Sequence, residues 1–553
     1  MIRDFLEEKR RYIILFVVFL VLIILLALKI RGCMRLIDKP KKGDGKAVLY
    51  SSKQVGEGSR LIVDGASASA LSSPENYGVT EHFRISGNMA DAYHRQDTAT
   101  FGLDDSDTGA DVNITGELAQ LWKTPVGASV GVTSGLNWKG EAVIVKWDDE
   151  TRQASAILDD KKAKAGLTEV IFPALDGKIY FLDLADGTKT RDPIAVGCPM
   201  SGSAEIINNG GPVLVVGLGD CTKTANTCYV VIDLFTNRKM LSFGERKNFA
   251  MSFPEEIYNF SCKPVVSSDG TTMITRGENG VFYSWVVRKA SGEENEVSLA
   301  QELEYTYGVK TDNKDKDSGN DDESGADILT GTAGIAAWGS YIFTGDDAGN
   351  LVCIDINDWH MVWIKNLGSK ITGTPVLEED EASGTIYLYV GTSIDNKGKA
   401  GMAYMCKLNA ANGDIIWQRN EEVKIPKYAD GGVIVSPCLG KNGLSSYVYF
   451  TVAGDGGRNA GRLFCLNKTN GGAVYTVDTK YYTKSNPVAL YSLTGASYLV
   501  LTDIKGNLFL LDAETGECKY TLRLKEELAS TPAVYEGKLV VGTLGGIYCI
   551  DIK

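Results

Sequence analysis

From about residue 117 onward, apolar residues come in short runs, each closed by Asp or Asn and then a turn. Runs of this length bounded by turn residues predict strands rather than helices. The clearest unit is Gly506–Leu522, GNLFLLDAETGECKYTL. Its apolar run Leu508–Leu511 ends on Asp512, with Gly516 four residues on and Tyr520 eight on. Asp can bond its own backbone as the turn opens, and Gly supplies the positive φ that a tight turn needs. The aromatic residue then covers apolar surface in the next layer.

The same ruler fits Asn409, Gly413 and Trp417, and again Asn467, Gly471 and Tyr475. Asp355 and Trp363 match with Trp359 at the turn position. Asp183 and Gly187 match, with Arg191 in place of the aromatic. Asp233, Asn237 and Leu241 match loosely, and Gly280–Gly292 is a degenerate copy in shifted register. Anchors are spaced by 50 residues from Asp183 to Asp233, then, from Asp355, by 54, 58, 45 and 39 up to Asp551. The interval between Asp233 and Asp355 has room for two units. Periods of this size, rich in short strands, predict four-stranded propeller blades. A stacked solenoid would need capping repeats at both ends, and none is evident.

Eight anchors predict an all-β, eight-bladed β-propeller. The chain stops at Lys553, two residues after Asp551, so the last blade lacks its outer strand. Gln120–Val126, QLWKTPV, is expected to supply it and to close the ring, with Trp122 as the missing aromatic.

LNAANGDIIW (Leu408–Trp417) and LDAETGECKY (Leu511–Tyr520) resemble the tryptophan-docking motif of the PQQ-like, or quinoprotein-like, β-propeller repeat. The resemblance covers roughly residues 80–553. Phe83-Arg84, Gly87-Asn88 and Leu175–Ile194 are similar to membrane-anchored propellers of Gram-positive-type bacteria. The family also includes a lipoprotein that helps assemble outer-membrane barrels, and dehydrogenases that bind a quinone. In the latter, the resemblance implies an indole floor, a disulfide between adjacent cysteines, a calcium ion and an Asp base. This sequence has no Cys-Cys pair, and no calcium ligands map onto matching positions. Trp122, Trp363 and Trp417 are better read as packing between blades.

The N-terminus follows a different pattern. Met1–Arg11 is a charged tail, and Tyr12–Leu28 is an unbroken apolar run. At about 1.5 Å per residue it reaches about 26 Å, close to a thin bilayer core. No small-x-small cleavage pattern follows it, so an uncleaved anchor over residues 12–30 is expected. Four basic residues precede the run and six follow it, from Lys29 to Lys42. That count alone would leave the propeller inside, but long domains translocate despite local charge. The resemblance implies a propeller outside, as a single-pass protein of the cell membrane. The expected organisation is therefore a tail (1–11), a transmembrane helix (12–30), a stalk and arm (31–116) and a propeller (117–553).

Residues 1–46 carry 11 basic and 5 acidic residues, and the remaining 507 carry 46 and 65. So acidic a body repels phosphates, which argues against nucleic acid. The basic stalk suits either anionic headgroups or plain solvation. Asp105, Asp107, Gly109 and Asp111 lack the distal Glu of a calcium loop. Trp147–Gly166 is a charged insertion expected to be helical in part, and Lys310–Gly325 is expected to be disordered.

Candidate chemistry is sparse. The three histidines, His82, His94 and His360, have no metal-ligand spacing, and no nucleophile elbow or phosphate loop is present. No catalytic, cofactor-binding or metal residue is therefore assigned. Among the 11 cysteines, Cys353, Cys465 and Cys549 occupy equivalent strand positions and read as buried apolar residues. Cys221 and Cys228 flank a short loop and could form a disulfide in an oxidising compartment. The expected function is a membrane-tethered, extracytoplasmic binding or assembly platform with a protein or cell-envelope partner; the alternative is a quinone-dependent oxidoreductase or another cell-surface enzyme.

Overall fold

In the computed structural model, residues 48–54, 99–100, 116–127, 140–208, 212–219, 228–244, 259–267, 270–289, 297–310, 327–328, 330–380, 383–394, 400–424, 430–457, 459–492, 495–528 and 530–553 are described. They form eight antiparallel sheets arranged as an eight-bladed β-propeller. Blade 1 runs Val143–Lys146, Thr168–Pro173, Lys178–Asp183 and Ile194–Ala195. The third strands of blades 2 to 8 are Tyr229–Asp233, Phe282–Lys289, Asn350–Asp355, Gly401–Asn409, Gly461–Asn467, Asn507–Asp512 and Gly546–Ile552. Anchor residues thus end the third strands of blades 1, 2 and 4 to 7; in blade 8 Asp551 is the last residue but one, and in blade 3 Phe282–Lys289 lies in the degenerate copy.

The second and third strands are buried on both faces, as in the all-buried Pro212–Gly217 of blade 2. Their side chains meet those of the next blade, so every neighbouring pair of blades shares one apolar cluster. The cluster between blades 4 and 5 holds Phe343, Cys353, Trp363 and Leu388. The one between blades 8 and 1 holds Trp122, Ile144, Phe172, Val540 and Cys549. Burial on both faces explains why these strands read as continuous apolar runs rather than as alternation. Cys353, Cys465 and Cys549 are fully buried thiols, as their strand position predicts.

Three segments from the N-terminal side add to these sheets. Leu118–Pro125 pairs antiparallel with Gly546–Ile552 of blade 8, with a register shift between Gln120 and Trp122. Val48–Gln54 pairs antiparallel with Glu304–Lys310 in the 14-residue outer strand of blade 3. Ala99–Thr100 pairs in parallel with Leu490–Tyr491 of blade 7's inner strand.

The insertion in blade 1 carries two short helices, Asp149–Ala154 and Asp159–Lys162. The break at Ser155–Leu158 falls inside the stretch expected to be helical. Asp148 caps the first helix by accepting from Thr151 N–H at 2.7 Å. Lys161 and Lys164 then reach Asp183 at 2.8 and 2.6 Å, fastening the insertion to the turn of blade 1.

The structure decides the cysteine pairing that the sequence left open. Cys228 does not bridge to Cys221: it is a buried thiol, whereas Cys198 is disulfide-bonded. The partner of Cys198 lies outside the described residues. Spacing across one short loop suggested the first pairing, but Cys228 opens a buried strand and packs into the cluster between blades 1 and 2. Tyr12–Leu28, the Asp105–Asp111 loop and residues 311–326 lie outside the described residues. Among the described residues no helix is long and apolar enough to cross a membrane.

Candidate functional site

Antiparallel order places the loops of each blade at two ends. Links between strands one and two, and between three and four, emerge at one end. Links between strands two and three, and from blade to blade, emerge at the other. The repeat's anchors all lie at the first end, which is therefore constrained. The second end is where loop length varies most, so it is the candidate site.

The constrained end shows what the docking aromatics do. Trp122, Trp363 and Trp417 donate their indole N–H to Leu184 O, Ala410 O and Lys468 O of the next blade, at 2.9, 2.9 and 2.8 Å. Tyr475 donates its hydroxyl to Ala513 O at 2.7 Å. Each acceptor follows the anchor residue by one. Each ring also lies on the turn glycine: a Cβ at Gly187, Gly413 or Gly471 would stand 2.6, 2.9 or 2.7 Å from the indole. These glycines have φ near +70°, so both contact and conformation require the missing side chain.

Two mismatched positions follow the same logic. Trp359, at the turn position of blade 4, has φ +59° and packs against Tyr305 of blade 3 at 5.5 Å between centroids. Arg191 is fully buried and donates Nη1 to Leu234 O, the acceptor of blade 2. It replaces the aromatic as hydrogen-bond donor. Its charge is met by Glu169 at 3.0 Å, also fully buried, which accepts further bonds from Trp147 and Thr190. The repeat spacing put Arg191 at the aromatic position but did not show its role; Glu169, amid the apolar residues Val170–Pro173, was the available signal.

At the variable end a ring of hydrogen bonds borders the channel. In most blades the residue two positions before the inner strand holds the equivalent residue of the preceding blade. Gly334 N–H donates to Thr374 Oγ1, Thr374 N–H to Ser436 Oγ, Ser436 N–H to Asn486 Oδ1 and Asn486 N–H to Thr531 Oγ1, at 2.9–3.1 Å. Glu141 N–H donates likewise to Ser203 Oγ. Proline follows Thr374, Ser436, Asn486 and Thr531, and restricts each to the extended conformation that aims it along the ring. Blade 3 has Lys263 at this position, which offers no side-chain acceptor. Its ammonium reaches Glu141 and Glu205 at 3.1 and 3.4 Å.

A second repeated turn lies at the same end. Asp346 accepts from Ala348 and Asn350, and Asp503 from Lys505 and Asn507, within D-x-x-G-N. Its spacing was legible in DDAGN and DIKGN but went unread. Next to the first copy, Lys370 lies 3.3 Å from Asp347 and 3.7 Å from Asp430. Burial pulls the Lys370 amine down, but those carboxylates outweigh it and its pKa is raised. The rim of blades 1 to 5 thus carries Glu141, Glu205, Glu278, Asp347 and Asp430 around Lys263 and Lys370. Across the channel, burial lowers the pKa of Lys484, opposed by the nearby charge of Glu527.

These contacts, with the repeat spacing, decide the family-level reading. The chain is a PQQ-like β-propeller. Residues 310–474 and 459–552 of this PQQ-like propeller match a family profile described as outer membrane protein assembly factor BamB. A 101-residue stretch is 36% identical to the beta-alanine-activating enzyme of Danio rerio, covering 17% of this chain and 9% of that protein. A 234-residue stretch is 27% identical to outer membrane protein assembly factor BamB of Xanthomonas campestris pv. campestris, covering 39% and 47%. The PQQ-like propeller therefore spans less than half the length of either curated relative. Among solved structures, BamB from Moraxella catarrhalis is similar at TM-score 0.43 and 13% identity, over 78% of this chain and all of that one. Quinohemoprotein alcohol dehydrogenase from Comamonas testosteroni is similar at 0.46 and 12%, over 79% and 77%.

The residues present do not fit a quinone. No two cysteines are adjacent, and Trp122, Trp363 and Trp417 are committed to blade-to-blade docking. Asp355, Asp358 and His360 bring possible ligand atoms within 4.8 Å of one another at the constrained end. Asp358 and His360 are exposed and bonded to each other, and Asp355 closes its turn by accepting from Asn357. We assign them to turn formation.

Proposed function

We propose that this propeller is a non-catalytic binding or assembly platform that presents its variable end to a protein partner of the cell envelope. The observation that carries this reading is the division of labour between the two ends. Docking bonds, glycine turns and the helical insertion of blade 1 occupy one end, while the links from blade to blade and an acidic rim occupy the other. The rim's excess of carboxylates over lysines favours a partner segment bearing Lys or Arg. The likeness to an outer-membrane assembly factor supports the same class of role.

The propeller is tethered to the membrane through Tyr12–Leu28, with residues 31–116 as stalk and arm and 117–553 outside. The apolar run and its flanks support the tether. The pairing of Leu118–Pro125 with blade 8 closes the ring. Support for closure comes from Trp122, which docks on blade 1 from a strand that belongs to blade 8.

The test is site-specific photocrosslinking in native membranes. A crosslinker at Asp347, on the variable end, should yield a discrete adduct; one at Asp358, on the constrained end, should not. Adducts from Asp358 alone, or from neither position, would refute the assignment. A spectral shift on adding quinone and calcium to the purified protein would favour the oxidoreductase reading instead.

A further inference from the structure

The N-terminal segments are fastened unequally. Val48–Gln54 pairs with blade 3, and Leu118–Pro125 with blade 8, over seven residue pairs each. Between them in sequence, Ala99–Thr100 pairs over two residues with Leu490–Tyr491. This last pairing is parallel, whereas the blades themselves are antiparallel throughout. It also lies elsewhere: Val488–Tyr491 is the inner strand of blade 7, so its second edge faces the central channel. Ala99–Thr100 sits on that edge, beside the inner strand of blade 8, Ala533–Tyr535.

An inner strand edge offers a row of backbone N–H and C=O groups, a template for any extended chain. Its chemistry selects backbone rather than a particular side chain or a small molecule, as in other cases of strand addition. A two-residue parallel ladder satisfies little of it. The longer pairings at blades 3 and 8 hold the arm to the propeller independently of this contact. Releasing Ala99–Thr100 therefore breaks two residue pairs and leaves both longer pairings intact.

We propose that the channel-side edge of blade 7 is a strand-acceptor site for an extended polypeptide, occupied in cis by Ala99–Thr100 until a partner segment displaces them. This deepens the platform reading, on which it rests, by naming the partner's conformation.

Two full-length variants test it. A99C/L490C places cysteines on paired positions and, on oxidation, locks the arm in the channel. A99P/T100P removes both N–H donors and frees the edge. The probe is fluorescently labelled, reduced and carboxymethylated lysozyme, an unfolded polypeptide, followed by anisotropy. Thermal melts confirm that each variant is folded. The proline variant should bind the probe at least tenfold more tightly than the parent protein, and the locked form at least tenfold more weakly than its reduced form. Parent protein with and without reductant controls for the Cys198 disulfide. Failure of the cysteines to crosslink, equal affinity in all forms, or no binding to any form would each overturn the acceptor site. If binding fails while Asp347 still yields its adduct, the platform reading stands without the acceptor site. If both fail, both readings fall.

Discussion

Trp122 tests the proposed ring closure most directly, because it lies on Leu118–Pro125, the strand that pairs with blade 8. Its side chain is 9% exposed, its indole N–H bonds Leu184 O at 2.9 Å, and its ring lies on Gly187. Truncating a buried Trp to Ala costs about 3–5 kcal/mol. Losing the hydrogen bond adds about 1 kcal/mol. Taking an unfolding entropy of about 2.1 cal/mol/K per residue over roughly 430 residues gives about 0.9 kcal/mol/K. Trp122→Ala should therefore lower Tm by roughly 4–7 °C, read by calorimetry on the full chain. A double-mutant cycle isolates the docking contact. Gly187→Ala alone places a Cβ 2.6 Å from the indole and forces a non-glycine residue to φ +70°. With Trp122 already removed, only the backbone strain of about 1–2 kcal/mol remains. Gly187→Ala should thus cost clearly more in the parent protein than in Trp122→Ala. Additivity within about 0.5 kcal/mol, the value expected of independent sites, would refute docking across the 8–1 junction.

Arg191→Met should destabilise by about 3–5 kcal/mol, because it leaves the Glu169 carboxylate buried without its counter-ion; denaturant melts should show Arg191→Met/Glu169→Gln to be less damaging than the single change. Burial pushes the Asp183 carboxyl up, but hydrogen bonds from Lys161 and Lys164 outweigh it and hold its pKa below the usual range. A depressed carboxyl contributes stability that is present above the unfolded value of about 3.9 and is lost as pH falls through the folded one. Asp183→Asn should therefore cost stability at pH 7 and progressively less below about pH 4, and an equal cost at both ends of a pH series of melts would contradict this.

Much of the fold was legible in the sequence because one device recurs. A third strand ending on Asp or Asn, a glycine four residues on and an aromatic eight on gave the blade period, and Trp417 docks where that spacing put it. Arg191 and Trp359 were less legible. Each does the aromatic's or the glycine's work with different chemistry, and only the acceptor, Leu234 O, or the facing ring, Tyr305, reveals the equivalence. The D-x-x-G-N turns were readable and were passed over. The acidic rim was not readable, since Glu141, Lys263, Lys370 and Asp430 are scattered along the chain.

By itself, the sequence determined everything that local spacing controls. Strand lengths, turn glycines and the eight-fold repeat depend on neighbours a few residues apart or on a count of units. Only tertiary structure decided which residues meet across blades. The hydrogen-bond ring at positions 334, 374, 436, 486 and 531, the ion pairs of Lys263 with Glu141 and Glu205, and the seat of Ala99–Thr100 on blade 7 join residues distant in sequence. Such contacts form because closing eight blades into a ring brings the starts of their inner strands together around one axis, a proximity that no local pattern encodes.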